Sequence, residues 1–305
     1  MKNSSPLSFK QHRHSINQII LSKPAVKKIL ILMLLVLEAV SASAQGSLTP
    51  PGAPAPTMKT LAQIEPRIPV DAAHTPGDFS DVFVISQPGS YYLTTNVVGL
   101  NSKAGIAILA NNVTLDLSGF ALMGAPNSYD GIVLYSTCTN TVIRNGIVSG
   151  WGNGFYGIRC QGQNVIFERL NISANNFGMS CSSGNVVRDC VINANQRDGL
   201  DANGSGVLIL NNNLAGNNTL GPGNACISIF CSNSRIEGNH IVGTGTGYGI
   251  LIPNVGSFTN NIIVRNSVIG NGPNNYSIIP GNIVGPMINT TGTITNSNPW
   301  ANFSF

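Results

Sequence analysis

The sequence predicts an all-β solenoid, a parallel β-helix of about eight three-strand coils, and three observations carry that expectation. An Ile-x-hydrophobic start, usually directly after Gly, recurs at Ile106, Ile132, Ile158, Met179, Leu200, Ile227 and Ile250, at spacings of 26, 26, 21, 21, 27 and 23 residues. Each period carries two further β-branched pieces, such as Val142-Ile143 with Ile147-Val148, or Ile262-Ile263-Val264 with Val268-Ile269. Tight polar corners stand between them: Asn145-Gly146, Asn211-Asn212, Gly238-Asn239 and Asn266-Ser267.

Periods of 20 to 50 residues mark stacked supersecondary units. Alternation puts Ile106 and Ile108, or Ile250 and Ile252, on one face of a strand. One coil cannot bury that face, but coils stacked about 4.8 Å apart bury it continuously. Asn and Gly suit corners because both tolerate left-handed backbone. Variable length is expected at one place, before each Ile-x-hydrophobic strand, as in Gly216 to Ala225. Leucine-rich repeats would need Leu at fixed offsets, and propeller blades need about 40–45 residues.

The elements follow in chain order. Residues 1–44 read as a signal peptide. Lys23, Lys27 and Lys28 precede the apolar run Ile29 to Leu37, and Ala42-Ser43-Ala44 offers the small residues a signal peptidase requires. Cleavage is expected after Ala44, leaving a chain that starts near Gln45. The run is too short to cross a membrane, which takes about 20 apolar residues. Residues 45–79 read as a Pro-rich linker: Leu48 to Pro56 favours extended conformation. Within it Thr57 is placed to cap a short helix over Met58 to Glu65 that Pro66 stops. Residues 80–285 form the β-helix, and 286–305 a C-terminal tail or cap. Trp300, Phe303 and Phe305 suit a segment that closes an open solenoid end.

Composition bounds the function. Charged residues make up 9% of the chain and hydrophobic ones 42%. The formal charge of +4 sits at the start: residues 1–44 hold six basic side chains against Glu38, leaving 10 basic and 11 acidic. Nucleic-acid binding needs clustered Lys and Arg, so that class of partner is excluded. The expected location is secreted, at the cell surface or in the periplasm. Cys160 and Cys181 share one inward offset in adjacent coils and are expected to be free thiols, since register neighbours about 4.8 Å apart exceed the 3.5–4.5 Å that a disulfide prefers.

Over about residues 80–285 the chain resembles the right-handed parallel β-helix repeats of the pectate-lyase-like superfamily. It resembles more specifically a group of exported bacterial β-helix proteins that are largely without assigned activity. The segments that carry the resemblance are Thr49 to Leu61, Pro88-Gly89-Ser90-Tyr91-Tyr92-Leu93, Asn112-Val113-Thr114-Leu115-Asp116-Leu117, and Asn298-Pro299-Trp300-Ala301-Asn302-Phe303. The resemblance implies a right-handed coil and a saccharide lying along the outer face of the first strands.

The odd offsets of that face hold Val133 and Tyr135, Arg159 and Gln161, Ser180 and Ser182, Asp201 and Asn203, then Ser228 and Phe230. Asp198 and Tyr156 enter from the preceding turns. Aromatic faces stack on sugars while amides and hydroxyls bond their edges. Tyr135, Tyr156, Gln161, Asn203 and Phe230 are therefore the substrate-binding candidates. Asp198 and Asp201 form the one acidic pair placed for general acid–base work, with Arg159 two coils away, and these three are the catalytic candidates. The polygalacturonase-like motifs Asn-x-Asp, Asp-Asp, Gly-His-Gly and Arg-x-Lys do not occur. No cofactor is expected. A Ca2+ site of the pectate-lyase kind would require clustered acids, and only the Asp198/Asp201 pair offers itself. No zinc spacing occurs, and His240 reads as a packed or corner residue. The expected partner is a polysaccharide or cell-surface glycan, bound and, in the enzyme version, cleaved by a lyase or hydrolase. The alternative from another class is a rigid surface spacer without catalysis.

Overall fold

A computed structural model describes residue 24, residues 27–33, and residues 65–305 apart from 153, 154, 222, 273 and 290. The chain divides into a unit spanning Met1–Leu61 and one spanning Ala62–Phe305. Within the first, the described residues are helical. No helix of the described residues is long and apolar enough to cross a membrane. The cleavage site at Ala44, the Pro-rich stretch and the short helix from Met58 lie outside the described residues.

The second unit is built of parallel strands. Nine of them form one ladder: Asp81–Ile85, Ala104–Ile108, Ile132–Leu134, Tyr156–Cys160, Phe177–Cys181, Leu200–Ser205, Ala225–Ser232, Tyr248–Ile252 and Asn274–Ile278. They are the first strands of coils 1 to 9, so the solenoid has nine coils where the repeat starts suggest about eight. Second and third strands stack in two further ladders. In coils 3 and 4 these run together as Val142–Ser149 and Ile166–Ser173, which joins both ladders into one 18-stranded sheet.

Register explains the repeat. Ile106, Ile132, Ile158, Met179, Leu200, Ile227 and Ile250 lie side by side, each fully buried. Burying one such side chain contributes about 1.5–3 kcal/mol. The Gly before most starts has a steric cause. A Cβ on Gly131 would stand 2.5 Å from the Gly157 carbonyl oxygen and 2.9 Å from the Trp151 ring, and one on Gly178 would stand 2.2 Å from the Gly199 oxygen. Backbones of successive coils touch here, leaving no room for a side chain.

The corner between second and third strands divides labour between two residues. The first is left-handed: Asn145, Arg169, Asp189, Asn211, Gly238 and Arg265 have φ between 52° and 70°. The second points inward. In coils 6 to 8 it is Asn, and Asn212, Asn239 and Asn266, followed by Asn302 of the tail strand, form a buried ladder with Nδ2 donating to the next Oδ1 at 3.0, 2.9 and 3.2 Å. Each Oδ1 also accepts a backbone N–H of the preceding coil, as Asn239 does from Asn212 at 3.0 Å. A parallel ladder of Asn175, Asn195 and Asn217 follows the third strands. Trp151 heads that ladder, wholly buried, and its indole N–H bonds to the Leu122 carbonyl at 3.1 Å.

Variable length is not confined to the approach to the first strand. Four residues separate Cys181 from Val186, but nine separate Ile252 from Ile262, so the corner after the first strand also absorbs insertions. All six cysteines are buried and free. Cys160 and Cys181 follow the register pair Arg159 and Ser180 directly. At the C-terminal end, Asn302–Ser304 joins the third-strand ladder beside Ser267–Ile269, and Asn302 completes the asparagine ladder.

Candidate functional site

The first-strand ladder presents three outward columns. The innermost to the turn holds Asp130, Tyr156, Phe177 and Asp198, two residues before the buried starts. The second holds Val133, Arg159, Ser180, Asp201 and Ser228 in register. The third, two residues further on, holds Tyr135, Gln161, Ser182, Asn203 and Phe230.

Alternation predicts that Tyr135, Arg159, Asp201 and Phe230 share one exposed strip. The structure corrects this for Asp201. Val133, Ser180, Asp201 and Ser228 are all buried although they face outward, and side chains of the turn column meet two of them, Tyr156 at Asp201 and Asp198 at Ser228. Tyr156 of coil 4 reaches over coil 5, and its hydroxyl donates to Asp201 Oδ2 at 2.9 Å. Phe177 stacks on Tyr156 with ring centroids 4.7 Å apart, and the Arg197 guanidinium lies 5.3 Å over Phe177. Tyr156 is thus a cover over the acidic pair, half-buried rather than an open platform.

The acids are spoken for in different ways. Asp198 Oδ1 accepts from the Ala225 backbone N–H and from Ser228 Oγ, the latter at 2.7 Å. Burial raises its carboxyl above the ordinary range despite those bonds. Asp201 is pushed up to about 8, first by burial and then by the neighbouring Asp198 charge, with the Tyr156 hydrogen bond working against the shift. It is therefore neutral over most of the physiological range. Its Oδ1 has no hydrogen-bond partner. Arg159 pairs not with these acids but with Asp130, at 2.9 Å. Asp130 also accepts the Tyr156 backbone N–H at 2.9 Å, and burial raises it too. Asp130 carries no repeat signature, and only the stacking of coils 3 and 4 reveals it as the partner of Arg159.

These donors do not fit calcium, which takes six to eight oxygens with several carboxylates. Asp198 is already engaged by the Ala225 N–H and Ser228, Asp201 lies beneath Tyr156, and among the described residues no group of three or more His, Cys, Asp or Glu stands together to supply the remaining oxygens. His240 is exposed on the third-strand face beside Asn213 and Ser267, and it is neither packed nor at a corner.

The third column differs. Tyr135, Gln161 and Asn203 are exposed, while Ser182 and Phe230 are half-buried, Phe230 resting edge-on against Phe258 at 5.9 Å. The column carries aromatic rings at both ends and amides or a hydroxyl between, one residue per coil. At about 4.8 Å per coil its span from Tyr135 to Phe230 is about 19 Å. One further concavity, lined by Arg235, Ile262, Val264, Ile283 and Trp300 among others, lies on the second-strand face beneath the C-terminal tail.

A family model described as "Right handed beta helix region" matches residues 80–215. Comparison with curated proteins and with solved structures returned no match. The matched span covers coils 1 to 6, and the same three-strand geometry continues through coil 8, beyond which the tail strand Asn302–Ser304 takes the third-strand place beside Ser267–Ile269. The stacked coils and the family match agree, and the chain is a right-handed parallel β-helix repeat protein.

Proposed function

We propose that this is an exported glycan-binding β-helix that holds a polysaccharide along its first-strand face without cleaving it. The observation that carries the reading is the third column, where Tyr135, Gln161, Ser182, Asn203 and Phe230 follow one another coil by coil. A sugar chain presents apolar faces and hydroxyl edges in alternation. Terminal aromatics with intervening amides complement it, and aromatic contacts add about 0.5–1.5 kcal/mol beyond area burial.

Binding is favoured over turnover by the state of the acids. A general acid must reach the glycosidic oxygen within about 3 Å, and Asp201 lies buried with the Tyr156 hydroxyl on its outer oxygen. Asp198 is anchored by a backbone N–H and a serine, as a structural carboxyl would be. The spacer reading draws on another observation, the two asparagine ladders, which stiffen the solenoid along its length.

Affinity electrophoresis against a panel of neutral and acidic polysaccharides separates these readings. Retardation by at least one polysaccharide is expected, weakened about tenfold or more by Tyr135→Ala or Phe230→Ala with an unchanged melting temperature. No new reducing ends or unsaturated products are expected. Retardation by none of the panel would leave the spacer reading. Product release abolished by Asp201→Asn would restore the enzyme.

A further inference from the structure

The C-terminal tail roofs a hollow on the second-strand face, away from the Tyr135–Phe230 column. Its volume is about 350 Å³, within the range of small-molecule sites. The floor comes from a break in the outward pattern. Coil 7 presents Arg235 and Glu237, and their register partners in coil 8 are Ile262 and Val264. Ile283 continues the floor beside Ile262 in coil 9. Gly285 then leaves the room that the tail needs, because a Cβ there would collide with the Trp300 carbonyl.

The wall is Trp300, 47% exposed. Two hydrogen bonds set its place. Its backbone N–H donates to Asn298 Oδ1 at 2.9 Å, and Arg265 Nε donates to the Pro299 carbonyl at 2.9 Å. The guanidinium carbons of Arg235 and Arg265 stand 5.7 and 5.2 Å from the ring centroid, and Arg235 lines the hollow.

Charge in this group is unbalanced. Both arginines share one carboxylate: Glu237 meets Arg235 Nε at 2.5 Å and Arg265 Nη1 at 3.2 Å. Two guanidiniums against one carboxylate leave positive charge in excess. The two terminal nitrogens of Arg235 have no hydrogen-bond partner among the described residues.

From these features we infer that the hollow is a binding site for a small aromatic carboxylate. The ring lies between Trp300 and the Ile262–Ile283 floor, and the carboxylate meets the free edge of Arg235. Three arguments select this class. The floor side chains offer carbon and no donors, so a polyol would leave hydroxyls unpaired against them. Trp300 presents a flat π face, which another aromatic ring matches. An arginine whose two terminal nitrogens are free pairs a carboxylate through two parallel bonds. The site shares no residue with the glycan column, so either reading can fail without the other.

Tryptophan fluorescence of the purified protein, titrated with benzoate, tests it. Trp151 is wholly buried and Trp300 exposed, so a change in emission reports the hollow. Saturable quenching with a midpoint below about 1 mM is expected. Benzyl alcohol keeps the ring without the charge, and galacturonate keeps the charge without the apolar ring. Each is expected to bind about tenfold or more weakly than benzoate. Arg235→Gln, which leaves Glu237 paired with Arg265, is expected to weaken benzoate about tenfold or more. Ile283→Glu, at a position 62% exposed, is expected to do the same with an unchanged melting temperature. Emission that does not saturate would overturn the inference. So would benzyl alcohol or galacturonate bound as tightly as benzoate, or a benzoate affinity that either variant leaves untouched.

Discussion

At the residue scale, Asp201 shows how burial changes the meaning of a carboxylate. Its carboxyl titrates at about 8 in the folded protein against an ordinary value of 3.8, so the native state holds a proton that the unfolded chain gives up. A raised pKa contributes stability that is complete below about pH 4 and declines as pH rises towards 8. Asp81, raised to about 6 chiefly by burial, adds to the same slope over a narrower window. Asn mimics the neutral acid in shape and still accepts the Tyr156 hydroxyl. Urea denaturation of Asp201→Asn is therefore expected to show a gain over the parent of the order of a few kcal/mol at pH 8 and almost none at pH 4. A gain independent of pH would mean that the acid is ionised in the fold.

Glycine at position 131 belongs to the same scale. Its backbone is unexceptional, and what excludes a side chain is the Gly157 carbonyl at 2.5 Å. Gly131→Ala is expected to cost about 1–3 kcal/mol, or more where the coils cannot separate, read from the urea midpoint. Gly before most Ile-x-hydrophobic starts was visible in the sequence, but its cause at position 131 was not, because the obstructing atom lies 26 residues away.

At the element scale, ladders across coils set the stability. Asn239 joins Asn212 to Asn266 and also donates to the Ile209 carbonyl at 3.0 Å. Asn239→Ala leaves the buried Asn212 backbone N–H and one Nδ2 proton of Asn212 without their acceptor and the Ile209 carbonyl without that donor, and is expected to cost about 2–4 kcal/mol in urea denaturation. Asn211→Gly, directly before Asn212, at a left-handed φ of 54° and exposed, is expected to be nearly neutral. The two residues look alike in sequence, and a corner that tolerates Asn does not distinguish left-handed backbone from an inward amide.

Charged ladders tell the same story on the outside. Repeat alignment puts Arg144, Glu168 and Arg188 at one offset. The structure pairs Glu168 with Arg188 at 2.6 Å, while Arg144 turns to Asp116 at 3.2 Å. In both pairs a buried carboxylate meets a part-exposed guanidinium, so the pair favours register, and removing the arginine would leave a buried charge uncompensated.

At the scale of the whole molecule, a solenoid has two ends that must be closed. Here the last strand, Asn302–Ser304, covers coil 8, and Trp300 lies against Arg235 and Arg265 at 5.7 and 5.2 Å. A chain ending at Pro299 would leave Asn266 without its ladder partner and the Ser267–Ile269 edge unpaired. Hydrogen exchange in coils 7 and 8 is expected to quicken at least tenfold in that truncation, with coils 2 to 4 unaffected, because most contacts of a coil are with its neighbours and the Tyr156–Asp201 bond reaches only two coils. Equal quickening everywhere would mean that the solenoid folds as one indivisible unit.

By itself the sequence determined the all-β class, the coil repeat, the inward column and the register of Glu168 with its arginines, because these follow from period and alternation along the chain. It also placed Tyr135, Gln161, Asn203 and Phe230 in one column. Only the tertiary structure decided that Asp201 is covered by Tyr156, that Arg159 pairs with Asp130, and that Asn302 completes a ladder begun at Asn212. Each of those contacts joins residues between 26 and 45 positions apart, or passes along a chain of such steps. Their existence depends on the exact number of residues in every intervening corner and on which side chain is long enough to cross a coil. Periodicity specifies which residues become neighbours along a column. It leaves open which neighbours across columns will touch, and that choice separates an open acidic pair from a buried one.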